Sequence, residues 1–596
     1  MEGFQFEWHV EIYEGYPVIR HWLTVKNDGS HWMKIDHLKT TCLDFSGILP
    51  RNVPLTPSER GASASILALE NQAGTTGIIA GSEVPSAIRF MDGNGTMGYT
   101  DEFFEWVLGP GERFTTEPCF VLGYSDCILK TCSAHSFPRD RAVEDSLVPF
   151  IEKVLNIPAD PSKMPVPLWC TWSNFSSNIN AAIIEQQAKL AARCGFTGFQ
   201  IDAGWSESIT GSDWTCGSRV PDPVKFPDFK KTCAIVLDLG LKLGLWLSCY
   251  RHLHSPDLQD LPGARSLPLV VRGEGFGMSF ASTWADYYAR DLLHLVHEYG
   301  ATYFKQDLTN IKFGDIGFGH ASRTRKESYL KAIRGFFRSQ DAVHHVEPDI
   351  CLLLSHELYW GTPGVPCDLA AVKHCWSYHV PPNDYSGAFP RSRRITRQEK
   401  RLKFNRFQLL KGCFNARRRF YAHRGLPLYC IEYYGAATVN KDGSLSPDII
   451  DRQVCSWLMG IPSVYAGDLS TLTERNIDHY RKRLNLLRSL HDQHGIYKYF
   501  QFSGVPSPTR FGWHWWGKLN PRGEGVVVVM RGRFNLFKKK ARINIPWVNP
   551  GKTYEVSSLF KTPSPGTFTG DELQQGRLRL ALPRAGQEIL ELRLAG

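Results

Sequence analysis

The chain has 596 residues, 42% of them apolar and 21% charged. That is the balance of a soluble globular protein, and at roughly 150 residues per domain it implies several domains and excludes disordered and collagen-like classes. Its net charge of +10 falls in local clusters (Arg391 to Arg401, Arg417 to Arg419, Lys538 to Lys540) with no nucleic-acid-binding module, and no run approaches about eighteen uncharged apolar residues, so neither nucleic acid nor a membrane is an expected partner.

The opening, MEGFQFEWHVEIYEG, carries acids and no basic stretch ahead of an apolar one. No secretory signal is read there, and a cytoplasmic location is expected. Residues 1–140 read as a β-sandwich that starts abruptly inside a strand, as one lacking some strands would. HVEIYEGYPVIRHWLTVKNDG alternates apolar and polar residues and closes on the turn Asn27-Asp28-Gly29. Residues 141–164 form a linker with a helix, LVPFIEKVLNIP, before a Pro-rich crossing. Over 165–492 the rhythm changes to short apolar strands separated by longer amphipathic stretches. The strand candidates are PVPLWCTW, GFTGFQIDAGW, KLGLWLSCY, ATYFKQDL, DICLLLSH, LAAVKHCW, LPLYCIEYY and IPSVYAGDL. Crossovers such as AAIIEQQAKLAARC and WADYYARDLLHLVHEYG are long enough to return over a parallel sheet. The pattern predicts an α/β fold, a (β/α)8 TIM barrel with a β-sandwich on its N-terminal side. Residues 493–596 return to strands, including EGVVVVMRG and KTYEVSSL, and are expected to form a small C-terminal β-sandwich.

The 15 cysteines include no CxxC and no paired zinc spacing, so neither a disulfide framework nor a metal site is expected. The 17 Trp and 22 Tyr lean toward carbohydrate handling, because aromatic faces pack against sugar C–H faces. Barrel chemistry sits at the C-terminal ends of the strands. Strand by strand, those ends offer Trp172, then Asp202 with Trp205, then Trp246 and Arg251, then Lys305, Asp307 and Asn310. Ser355 to Glu357 follow the fifth strand, Trp376 to Asp384 the sixth, Glu432 the seventh and Asp468 the eighth. Carboxylates, one lysine and many aromatics are the profile of a sugar-cleaving site. Phe304-Lys305-Gln306-Asp307 is the sharpest piece: Lys-x-Asp at a strand end puts both side chains on one face. An ammonium beside a carboxylate keeps it ionised, as a nucleophile must be. An ordinary strand-capping ion pair is the plainer reading.

Ile201-Asp202-Ala203-Gly204-Trp205 at the second strand, Lys305-x-Asp307 at the fourth and LWCTWSNF at the first resemble the clan D α-galactosidases, glycoside hydrolase family 36 most closely. MGIPSVYAGDLSTL is similar to the family's eighth strand. The resemblance implies a retaining α-glycosidase with no cofactor and an oligosaccharide or glycoconjugate substrate, and it admits a homo-oligomer formed through the sandwich domains. By resemblance, Asp307 is the nucleophile and Asp202 and Lys305 bind the sugar. Trp172, Trp205, Trp246, Arg251 and Trp376 are read as substrate-binding residues with them. Two departures stand out. Ala203 replaces the family's second Asp, which, with its neighbour, contacts the axial 4-hydroxyl and the 6-hydroxyl of galactose, so a modified or different sugar has room. The family's general acid follows strand six, where Asp384 is the candidate, in a Pro-Pro-Asn-Asp segment that also reads as a turn; Glu357 and Glu432 are alternatives. Three functions stay open: hydrolysis of terminal α-galactosyl or related residues such as α-N-acetylgalactosaminyl, galactosyl transfer of the raffinose-synthase type, and a silent carbohydrate-binding barrel.

Overall fold

The computed structural model describes the chain except residues 1–2, 46–49, 59–62, 126–137, 208–218, 253–274, 308, 310, 312–320, 356–357, 360–368, 380–417, 419, 438–445, 459–460, 467, 503–511, 533–538 and 561–563. Eight parallel strands close into a barrel at its centre. They are β1 (Leu168–Cys170), β2 (Gly198–Ile201), β3 (Lys242–Ser248), β4 (Ala301–Asp307), β5 (Cys351–Leu354), β6 (Ser377–His379), β7 (Ile431–Ala437) and β8 (Ile461–Ala466). β1 pairs with both β2 and β8, which closes the ring. β3 shows why such segments become barrel strands: after Lys242 every residue of KLGLWLS is buried, as a parallel strand covered on both faces requires.

The crossovers are helices with clear start and stop chemistry. Over α1 (Ala181–Cys194) the Asn180 side chain accepts from Ile183 N, and Gly195, at φ +91°, ends the helix. Asp228 caps α2 (Phe229–Asp238) in the same way. α3 (Trp284–Tyr299) stops at Gly300, and α4 (Arg325–Val346) starts at Thr324. A left-handed residue after the last turn satisfies carbonyls the helix leaves unpaired, and glycine reaches that conformation without strain.

Two sequence expectations shift within the barrel. The apolar run in LAAVKHCW suggests strand six, but Leu369–Val372 is a short helix, α5, and the strand begins at Ser377. Strand seven likewise begins at Ile431, after a turn over Leu428–Cys430. A short buried apolar run carries no period that separates strand from helix.

On the N-terminal side, a seven-stranded antiparallel sheet runs from Phe4–Ile12 through Val18–Asn27 and Cys119–Ser125 to Arg51–Pro54. A three-stranded sheet packs on it through Leu67, Leu69, Ala80, Met91, Met97 and Cys119. The C-terminal segment forms a six-stranded sheet and a two-stranded sheet that share the core Val527, Val529, Ile543, Leu578, Leu590 and Leu592. No helix among the described residues is long and apolar enough to cross a membrane.

Candidate active site

β4 carries the site. Its residues alternate between the barrel axis and the helices outside it. Gln306 faces out, taking the Tyr288 hydroxyl at 2.9 Å and donating to Gln340 at 2.7 Å. Lys305 and Asp307 face in. Lys305 Nζ lies 3.3 Å from Asp202 Oδ2 and 3.9 Å from Asp307 Oδ2. Lys305 and Asp202 are almost fully buried, whereas the Asp307 side chain keeps 24% of its surface exposed. Asp307 is the most accessible member of the trio at the barrel mouth.

The neighbouring strands place the remaining groups. On β3, Trp246 pairs in register with Lys305, and its indole Nε1 donates to Asp307 Oδ2 at 3.4 Å. Asp202 follows β2, and its backbone amide donates to Thr171 Oγ1 at 2.9 Å. The chain then turns sharply: Gly204 has φ +104°, and a Cβ there would meet the Ser177 carbonyl oxygen at 2.4 Å. Only glycine fits this turn, which points Asp202 back toward the axis.

The aromatics named from the sequence divide. Trp246 touches the nucleophile candidate. Trp172, half-buried, opens a short helix beyond β1 and packs on Cys170. Trp205 is buried behind the barrel wall, stacked on Phe229 of α2 at 5.0 Å, with its Nε1 donating to the Trp246 carbonyl at 2.8 Å. It is rim packing that fixes Trp246, not a subsite wall. Trp376 precedes β6 instead of following it and is buried below the mouth, its amide donating to Leu352 O at 2.9 Å. The misplaced sixth strand had set it at the wrong end.

Glu432 also leaves the list of acid candidates. It sits on the second residue of β7, buried inside the barrel, and accepts from the Tyr303 hydroxyl at 3.0 Å and 3.1 Å. Tyr303 lies one inward-facing position below Lys305 on β4. Asp468 caps a helical turn and accepts from Gln187 of α1 at 2.7 Å. Asp384, Glu357 and Asn310 lie outside the described residues, as does the side chain of Arg251. Two residues not named from the sequence enter the site. Gln200 donates to Asp202 Oδ2 at 2.8 Å and Cys170 Sγ donates to the same oxygen at 3.2 Å. The parity of β2 contained the clue, since Gln200 is two residues before Asp202 and therefore shares its face. Among the described residues no group of His, Cys, Asp and Glu could hold a metal ion.

No family model matches the chain. Among solved structures, a GH36 alpha-galactosidase AgaA variant from Geobacillus stearothermophilus, crystallised with stachyose, superposes with a TM-score of 0.74 at 16% identity, over 99% of this chain and 81% of that one. The fold is that of the GH36 alpha-galactosidases. AgaB from the same organism gives 0.74 at 17% identity over 99% and 81% of the two chains. The alpha-galactosidase from Lactobacillus brevis gives 0.73 at 14% over 100% and 80%. In sequence, a probable alpha-galactosidase B of Neosartorya fischeri is 36% identical over 97 residues, 15% of this chain and 22% of that protein. Its counterpart in Aspergillus clavatus is 37% identical over 92 residues, 14% and 20% of the two. The match thus spans about a fifth of each curated relative's length.

Proposed function

We propose that the protein is a retaining α-glycosidase that removes terminal α-galactosyl or related α-linked residues from oligosaccharides or glycoconjugates, with residues 165–492 as its catalytic domain. The observation that carries this reading is the single ammonium of Lys305 set between two inward-facing carboxylates at the barrel mouth, one of them partly exposed. An ion pair that only capped a strand would not need a second buried carboxylate on the same nitrogen. The likeness in sequence to probable alpha-galactosidases and in fold to the GH36 enzymes supports the same reading.

In the mechanism that follows, Lys305 and the Trp246 N–H hold Asp307 as an oriented anion. An Asp307 oxygen attacks the anomeric carbon as the bond from that carbon to the leaving oxygen breaks, giving a glycosyl ester. Asp384, our choice for the second carboxyl group, gives its proton to the leaving oxygen, then takes one from water as that water attacks the same carbon and frees Asp307. Retention requires the two carboxyl groups about 5–5.5 Å apart. Lys305 and Asp202 bind sugar hydroxyls at the floor of the site, and the absence of a second carboxylate at Ala203 suits a modified or different sugar.

A panel of 4-nitrophenyl glycosides (α-galactoside, α-N-acetylgalactosaminide, β-arabinopyranoside, α-glucoside) tests the reading. The wild type is expected to release nitrophenol from one or more, and Asp307→Asn to lose on the order of a thousandfold or more in kcat. Full activity in Asp307→Asn would refute the assignment. Sugar binding without turnover in the wild type would instead favour the silent barrel, and a glycosylated acceptor as the main product the transferase.

A further inference from the structure

Asp202 has more donors than a residue that only reads sugar hydroxyls needs. Its Oδ2 meets Gln200 Nε2 at 2.8 Å, Cys170 Sγ at 3.2 Å and Lys305 Nζ at 3.3 Å. Its Oδ1 accepts from the Ala203 amide at 2.9 Å. Gln200 and Cys170 are both fully buried. A carboxylate without a proton can only accept, so the amide nitrogen of Gln200 must be the end that faces it. The other end, Oε1, is buried with no hydrogen-bond partner among the described residues. An orphaned buried carbonyl costs free energy, and that cost is carried to aim one N–H at Asp202. Burial, reinforced by the Asp202 charge, pushes the Cys170 thiol well up, so it stays protonated and meets Asp202 as a donor.

These neutral donors bear on the nucleophile through Lys305. One ammonium stands 3.3 Å from Asp202 and 3.9 Å from Asp307. If Asp202 lacked other donors, it would draw Nζ toward itself and away from Asp307. We propose that Gln200 and Cys170 are positioning residues that satisfy Asp202 and thereby keep Lys305 shared with Asp307. The inference rests on the function proposed above, with Asp307 as nucleophile. Among the described residues, the charged and titratable groups facing Lys305 and Asp307 include Asp202 after β2 and Cys170 from β1, with Glu432 of β7 and Tyr303 of β4 one layer down. β3 contributes the neutral Trp246.

The experiment compares wild type, Gln200→Met, Cys170→Ala and Cys170→Ser on 4-nitrophenyl α-galactoside and the rest of the panel. Gln200→Met keeps the volume and removes the donor. It is expected to lower kcat roughly ten- to a hundredfold with little change in KM, as a small misplacement of a reacting group does. The acid limb of its kcat/KM profile is expected to move up by about one pH unit, because Asp307 has lost part of its cation. Its crystal structure should show Lys305 nearer Asp202 and farther from Asp307. Cys170→Ala is expected to shift the same quantities less, and Cys170→Ser, which keeps a donor, to restore them. A Gln200→Met enzyme with an unmoved pH limb and an unmoved Lys305 overturns the inference, even if its activity falls, since that pattern is a structural loss alone. A wild type inactive on every α-glycoside overturns both this inference and the function beneath it; an active wild type with an unaltered variant overturns this inference only.

Discussion

Lys305 is one residue holding two jobs, and its burial sets what its loss would cost. Its side chain is 2% exposed and that of Asp202 1%. A buried ion pair gains little net stability over apolar residues of the same size, but removing one partner leaves an uncompensated charge. Lys305→Met is therefore expected to remove activity and also to lower unfolding free energy by about 3–5 kcal/mol, read from urea denaturation. An unchanged midpoint would mean that Lys305 adds nothing to the hold on Asp202. Arginine is a poor substitute, since its planar fork cannot sit as a point charge between two carboxylates. Legibility at this scale followed strand parity. Lys305 and Asp307 stood out because two charged residues on one face of an otherwise apolar strand need a reason. Gln200 did not, although the same parity put it beside Asp202, because a neutral amide in a strand draws no notice until its partner is known.

At the scale of elements, the segments with a clear period or clear caps were legible, and the short ones were not. α1, α3 and the strands β1 to β4 fall where the sequence put them, whereas β6 and β7 start later because LAAV and LPLYC offered four or five apolar residues with no period. Trp376 and Glu432 were misplaced with them. In the C-terminal sheet, the strand Trp513–Leu519 places Lys518 with no exposure and its Nζ 3.4 Å from the centre of the Phe500 ring, without a hydrogen-bond partner among the described residues. Burial pulls this amine well below its ordinary value of 10.5. The unfolded chain then binds the proton more tightly than the folded one, so stability rises with pH until about 10.5 and the penalty is full at low pH. Lys518→Met is expected to stabilise the protein by about 1–4 kcal/mol at pH 7, with the gain shrinking as pH approaches 10. Melting curves across that range check both the sign and the convergence; a gain independent of pH would point to packing alone.

At the scale of the whole molecule, the N-terminal sheets are joined to the barrel by charge as well as by apolar packing. Glu83, buried, takes a bidentate contact from Arg20 at 2.6 Å and 3.0 Å and a third from Lys373, next to α5, at 2.5 Å. Burial alone would raise this carboxyl, but Lys373 and Arg20 outweigh it and hold it below its ordinary 4.5. With the folded value depressed, its stabilisation is present above about pH 4.5 and is lost as pH falls through the lower folded value. Glu83→Gln is expected to destabilise at pH 7 by about 3–5 kcal/mol and to flatten the acid side of the stability profile. A variant that unfolds in acid as steeply as the wild type would show that other carboxylates govern that limb. By itself, the sequence determined the alternation of strand and helix in the middle of the chain, the β-rich flanks, and the Lys-x-Asp pair, because each is a local pattern of period, cap or parity. Only the tertiary structure decided that Lys305 is shared between two carboxylates, that Gln200 and Cys170 serve Asp202, that Trp205 is packing, and that Glu83 ties two parts of the chain together. Those facts depend on which strands become neighbours when the barrel closes, and no single strand carries that in its own residues.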